Sequence, residues 1–360
     1  MGAPALDYDA NANSLRRSCG GKKTIVDWRT FERSTGASTV KEWMTAWFAG
    51  RFFYFGTWAA IALGRLAARF LPRQWLFRVS NALATIGYRC SRGFRNRSKK
   101  NITAVFGETM SAVAIEEMAR QSFKNIVRSC VEVAIALEAS DSELRTLIPL
   151  VGTEHLDAAL AKGSGVLMLT AHLGNFLLIG SRLAMEGYPV SVLMNSPRDS
   201  RLAQLLEKYR LQIRLQAIEA RPRRKALRAL QNSLHQNNIT VIISDEFRRG
   251  RGVEAAFFGR TVIARRGPAT VALRTGAAIV PACMVRQSNG SLKLVIEPEL
   301  ELDRSGKGSA QIRENVVRIN RWVEGMVRAY PDQWNWMNIR SWAMQNCSPI
   351  AVHDPLQQAM

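Results

Sequence analysis

After Gly152 the chain alternates short β-rich runs with amphipathic stretches, and this alternation narrows the possible folds more than any other feature. The runs lie at 165–170, 189–194, 239–244, 278–285 and 292–296; helical periodicity falls near 175–187, 199–212, 222–236, 267–275 and 311–329. A strand that returns to its sheet through a helix must pair parallel, so the pattern predicts an α/β fold with a mainly parallel sheet flanked by helices. Such sheets place their chemistry beyond the carboxyl ends of the strands.

One strand end stands out. In Leu167-Met168-Leu169-Thr170-Ala171-His172-Leu173-Gly174-Asn175-Phe176 an apolar run stops at a histidine and restarts in helical spacing. Of the histidines at 155, 172, 235 and 353, only His172 closes a buried strand. Its imidazole can act as a general base, and a helix N-terminus directly after it is expected to disfavour the protonated ring. The competing reading is a histidine that caps a helix or packs under a loop. Asn175 and the main-chain N–H of Gly174 stand where a helix start can hold an oxyanion, or where Asn175 is only a cap.

A second strand, 239–244, ends at Asp245-Glu246, so a parallel sheet brings these carboxylates to the same edge as His172. Arg248, Arg249 and Arg251 come next, then Glu254 and the ring pair Phe257-Phe258, read either as an apolar channel wall or as core. Arg265 and Arg266 open another helix, and clustered arginines at helix starts suit phosphate. Residues 112–139 form a long helix with Ile115, Met118, Phe123, Ile126, Val127, Cys130, Val133 and Ala134 on its apolar face. Glu132 among them must be paired or face a cleft.

The formal charge is +21, which calls for an anionic partner: phospholipid headgroups, an acidic carrier protein or nucleic acid. Nucleic acid is set aside because no metal-knuckle spacing, recognition helix or aromatic RNA-binding signature is present. The cysteines at 19, 90, 130, 283 and 347 are isolated and odd in number, against a disulfide framework or a structural zinc site. No GxSxG elbow, Walker loop or dinucleotide fingerprint occurs, so neither a cofactor nor a metal is expected.

From Trp43 to Gly64 the sequence is apolar and aromatic apart from Arg51, with Arg65, Arg69 and Arg73 after it. A spanning helix needs roughly 20 apolar residues, so this segment is expected to cross a bilayer or lie in its interface, with a buried hairpin of a soluble protein as the competing reading. Arg89, Arg92, Arg95, Arg97, Lys99 and Lys100 then suit the anionic cytoplasmic side. The resulting division is a weakly ordered polar extension at 1–38 without a secretory apolar core, a membrane-associating helix at 39–75, an α/β domain with N-terminal helices at 76–342, and a tail at 343–360.

The ordered stretches AHLGNF, LLEKYRLQIRLQ, DEFRRGRGVEAAFFGRTVIARRGPATVALRTGAAIVP and YPDQWNWMNIRSW, with a Lys100-Asn101-Ile102 turn, resemble the bacterial lipid A biosynthesis acyltransferases over residues 45–342. That family includes lauroyl and myristoyl transferases and phosphatidylinositol mannoside acyltransferases. The resemblance implies a glycerol-3-phosphate acyltransferase-like fold. It also implies transfer of an acyl group from acyl carrier protein or acyl-CoA to a hydroxyl of a membrane glycolipid, at the cytoplasmic face of the bacterial inner membrane. His172 would be the base, and Arg210 would meet the acceptor headgroup or a phosphate. The family's carboxylate five residues after the histidine is here Leu177. Either Glu246 or Asp245, or less directly Glu254, replaces it, or the protein is a catalytically impaired relative that binds lipid or carrier as an accessory.

Overall fold

The run VLMLT is buried at all five positions, and in the computed structural model it is strand β2 (Val166–Thr170), inside a mixed sheet. The structure describes residues 56–197, 199–247, 252–306, 308–337 and 339. The 1–38 extension, the 343–360 tail, Arg248, Arg249, Arg251 and residues 39–55 of the apolar anchor lie outside them. No helix among the described residues is long and apolar enough to cross a membrane.

Before the sheet come α1 (Arg73–Cys90), α2 (Arg92–Phe106), α3 (Ala112–Glu138) and the short α4 (Asp141–Leu147). The order then runs β1 (Leu150–Val151), α5 (Thr153–Leu160), β2, α6 (Ile179–Met185), β3 (Val190–Met194), α7 (Ser200–Gln212), β4 (Gln216–Glu219), α8 (Arg223–His235) and β5 (Ile239–Ile243). It continues with β6 (Val253–Phe257), β7 (Arg260–Ala264), α9 (Gly267–Thr275), β8 (Ala278–Arg286), β9 (Leu292–Ile296) and α10 (Gly308–Ala329). The sheet order is β1-β9-β8-β2-β5-β3-β4, and β8, β2, β5, β3 and β4 run parallel. Only β9 pairs antiparallel within it, against β8, and β6 with β7 forms a separate hairpin.

Side chains alternate across a strand, and β2 uses both faces. Leu167 and Leu169 enter one core with Leu230 and Leu234 of α8, Ala269 of α9 and Val323 of α10. Val166 and Met168 enter the other with Leu156 of α5 and Leu183 of α6. Burial on both faces explains why β2 and β8 read as unbroken apolar runs.

The apolar stripe expected on α3 packs inward in part: Ile115 and Ala134 are buried, and Met118, Phe123 and Val133 lie half-buried against the cores, but polar residues share the buried face. Ile115, Ala119, Ser122, Ser129, Glu132 and Ala134 are buried, whereas Cys130 is exposed. Small hydroxyls sit inward because they bond main chain there: Ser122 donates to Trp334 O at 2.6 Å and Ser129 to Asn125 O at 2.8 Å. Lys100-Asn101-Ile102 lies within α2 and is no turn. Asn101 is buried there and donates to the carbonyls of Trp336 and Ile339 at 2.7 and 2.9 Å.

Candidate active site

The register of two strands builds the centre of the site. Thr170 of β2 stands opposite Ile243 of β5, and the ladder continues one step further, with Ser244 N–H on Thr170 O at 2.9 Å. Extending that register by one more residue puts Asp245 opposite His172. Successive residues point to opposite sides, so Asp245 turns to the histidine and Glu246 does not.

His172 Nδ1 lies 2.7 Å from Asp245 Oδ1, and the main-chain N–H of His172 donates to Oδ2 at 2.8 Å. Oδ2 also receives the indole N–H of Trp334 at 2.7 Å. The carboxylate is fully buried, whereas the imidazole is 20% exposed and stands edge-on to Phe176. Because a carboxylate only accepts, Nδ1 carries the proton and Nε2 is left with its lone pair.

Burial works against an imidazolium at 172, but the charge and hydrogen bond of Asp245, with the charge of Glu246 behind them, outweigh it and raise the ring above the ordinary histidine value. Burial likewise works against ionised Asp245. The charge and ring bond of His172, the Trp334 indole and the main-chain N–H together hold its carboxyl below the usual aspartate range. The helix-terminus effect expected to lower the histidine is therefore overridden. Only a three-residue 3₁₀ turn, Phe176–Leu178, stands between this loop and α6, and an ion partner in direct contact outweighs so short a dipole.

The loop after His172 is fixed through its main chain. Gly174 N–H donates to Gln333 O at 3.0 Å, Asn175 N–H to Met284 O at 3.1 Å, and Asn335 N–H to His172 O at 3.0 Å. This corrects the sequence reading of an oxyanion site at Gly174 and Asn175, since both N–H groups are already committed. Nor is Asn175 a side-chain cap: its amide donates to Glu132 Oε2 at 2.9 Å and Ser129 O at 3.3 Å. Glu132 pairs in turn with Arg286 at 2.7 Å and Arg128 at 3.1 Å, which answers why a carboxylate sits on that buried face.

The bacterial lipid A biosynthesis acyltransferase family model matches residues 50–342. The chain belongs to this family. It is an O-acyltransferase of lipid A or glycolipid type. Among its relatives, phosphatidylinositol mannoside acyltransferase of Mycobacterium tuberculosis is 28% identical over 226 residues, 62% of this chain and 70% of that protein. Lipid A biosynthesis palmitoleoyltransferase of Escherichia coli is 24% identical over 246 residues, covering 68% and 77%.

The acyltransferase does not gather every residue singled out from its sequence. Glu246 is partly exposed and pairs with Arg265. Glu254 lies on the exposed face of the β6–β7 hairpin, on the side opposite buried Ala255 and Phe257. Neither supplies the ring's carboxylate. Phe257 and Phe258 fill the core beneath the hairpin rather than line a channel: Phe257 packs on Phe247 at 4.6 Å and on Trp334 at 5.8 Å, and Phe258 on Phe106 at 5.7 Å. Arg210, near the end of α7, is buried against Met194 Sδ at 3.1 Å and Glu207 at 2.6 Å, and its Nε has no partner among the described residues. Met194 ends β3, so this guanidinium is on the same edge of the sheet as His172. Trp334 is the site residue that the sequence did not single out; its N–H contact to Asp245 spans 89 positions, beyond any local pattern.

Proposed function

We propose that this acyltransferase moves a fatty acyl chain from acyl carrier protein or acyl-CoA to a hydroxyl of a membrane glycolipid, a lipid A precursor or a relative of it, with His172 as general base. The observation that carries this reading is the pair Asp245–His172: the ring has one nitrogen bonded to a buried carboxylate and the other left as an acceptor on a partly exposed side chain.

Nε2 takes the proton of the acceptor hydroxyl as its oxygen forms a bond to the thioester carbonyl carbon. Asp245 holds the tautomer and stabilises the imidazolium that results. When the tetrahedral intermediate collapses, the C–S bond breaks and the thiolate takes the proton from Nε2, leaving an ester and a free thiol. No resident cofactor or metal is invoked. Arg210, whose buried Nε has no partner among the described residues and lies on the same sheet edge, is assigned to a headgroup phosphate.

The reaction is placed at the cytoplasmic face of the bacterial inner membrane. Trp75, Val79, Leu83 and Ile86 form an exposed stripe at helical spacing on α1, flanked by exposed Arg73, Arg78 and Arg89. An apolar stripe edged with cations suits an anionic lipid surface. Nucleic acid is not assigned as a partner. The accessory-protein alternative rested on Leu177, and a carboxylate reaching the ring from Asp245 favours the enzyme over it.

The test is transfer of labelled acyl groups from acyl carrier protein and CoA thioesters, each offered with a lipid A precursor or a mannosylated phosphoinositide. Wild type should give acylated lipid and His172→Ala none. An equally active His172→Ala variant, or a folded wild type inert toward every pairing, overturns the reading.

A further inference from the structure

Asp245 has two oxygens, and three donors occupy them. Oδ1 takes the ring of His172, whereas Oδ2 takes the His172 main-chain N–H and the Trp334 indole N–H. The indole is itself immobilised: Trp334 is fully buried and stacked edge-on against Trp336 at 4.8 Å. Its neighbours grip the histidine loop, Gln333 O through the Gly174 N–H and the Asn335 N–H through His172 O. The Gln333 side chain brackets the main chain of Arg286, accepting its N–H and donating to its O, both at 2.7 Å.

We propose that Trp334 is a positioning residue for acyl transfer: its indole N–H pins Oδ2 of Asp245, so that Oδ1 stays on the Nδ1–H of His172 and Nε2 stays aimed at the acceptor. A terminal carboxylate torsion is broad and two-fold, and the main-chain N–H alone fixes one point of it. A rigid indole adds a second. The same donor lowers the proton affinity of the carboxylate, which keeps the shared proton on the ring. The inference rests on His172 being the base.

The experiment uses full-length protein labelled with ¹⁵N-histidine, its His172 signals identified by their loss in His172→Ala. Trp334→Phe keeps a ring but removes the N–H. Replacement of Trp334 by 3-benzothienylalanine, in which sulfur stands where the N–H was, keeps the volume and carries the test if the phenylalanine variant does not fold. Without its donor the carboxylate is free to turn Oδ1 away from the ring, and the imidazolium loses part of the hydrogen bond that stabilises it. The His172 titration should therefore move to lower pH, the Nδ1 proton should exchange faster, and kcat should fall about tenfold with KM nearly unchanged. An unchanged titration and proton exchange in the folded isosteric variant overturns the proposal. The nuclear magnetic resonance readout needs no turnover. A wild type that transfers nothing, yet whose ring titration shifts on loss of the indole N–H, would count against the base assignment while leaving the positioning contact intact.

Discussion

His172 is joined to Asp245 twice, by its ring to one oxygen and by its main-chain N–H to the other, so a single buried carboxylate sets both the position and the tautomer of the imidazole. Asp245→Asn keeps the size of the side chain but puts an amide beside Nδ1. Half its orientations present a donor to a donor, and all of them lose the charge that stabilises the imidazolium. Turnover should fall about 10²–10⁴-fold with little change in KM. Initial rates with saturating donor check this, and a variant within a few-fold of wild type would remove Asp245 from the mechanism.

Glu246 is predicted to behave differently although it is the next residue. It pairs with Arg265 near the surface and reaches His172 only through its charge. Because that charge raises the ring, Glu246→Gln should move the acid limb of the rate profile to lower pH. The plateau rate should change by less than about threefold, in keeping with a solvent-exposed pair. A loss as large as that of Asp245→Asn would show that the register argument chose the wrong acid.

The raised histidine fixes the sign of the pH dependence. The base must be neutral, so kcat/KM should fall as pH drops through a value above the ordinary histidine one of about 6.5. Stability has its own signs. The His172 contribution is fully present below the unfolded histidine value and is lost as pH rises through the higher folded one. The Asp245 contribution is present above the unfolded aspartate value and is lost as pH falls through its lowered folded one. Rate profiles and denaturation midpoints measured across pH 3–9 test both; an acid limb at or below the ordinary histidine value would contradict the first.

Much of this arrangement was legible in the sequence, and the parts that were not have identifiable causes. The five apolar runs and their helices carried the sheet, because strands buried on both faces are continuous in hydrophobicity. Strand β4 (QAIE) is a half-exposed edge with polar ends and gave no such run. The hairpin of β6 and β7 was hidden by its turn, where Phe258 and Gly259 both have positive φ, at 51° and 68°, and a phenylalanine stands where the two-residue turn usually takes Asn, Asp or Gly. That His172 and an acid would share a sheet edge followed from two strand ends. Choosing Asp245 over Glu246 needed the register, and finding Trp334 needed the path of the chain after α10.

The buried ion pair of Glu132 and Arg286 ties α3 to β8, and through Asn175 to the histidine loop. Removing Glu132 strands the Arg286 guanidinium in the interior, so Glu132→Met should cost about 3–5 kcal/mol in unfolding free energy, and Arg286→Met should cost less because Glu132 keeps Arg128. The double variant Glu132→Met with Arg286→Met should lose clearly less than the sum of the two, although Arg128 also loses its carboxylate. Strict additivity in chemical denaturation would mean that the two side chains contribute independently.

Gly174 is the position where backbone geometry and catalysis meet most closely. Its φ is +57°, and a Cβ there would run into the carbonyl of Met284, the group that accepts the Asn175 N–H. The left-handed conformation alone costs a residue with a side chain about 1–3 kcal/mol, and the carbonyl cannot retreat without breaking the loop from β8. Gly174→Ala should therefore lower stability by at least that amount. It should also lower kcat in the fraction that remains folded, because the displaced loop carries His172 two residues upstream. Denaturation curves and active-site-normalised rates on the same preparation separate the two effects. If Gly174→Ala kept both wild-type stability and wild-type turnover, the close approach of this loop to β8 would not be what holds the imidazole in place.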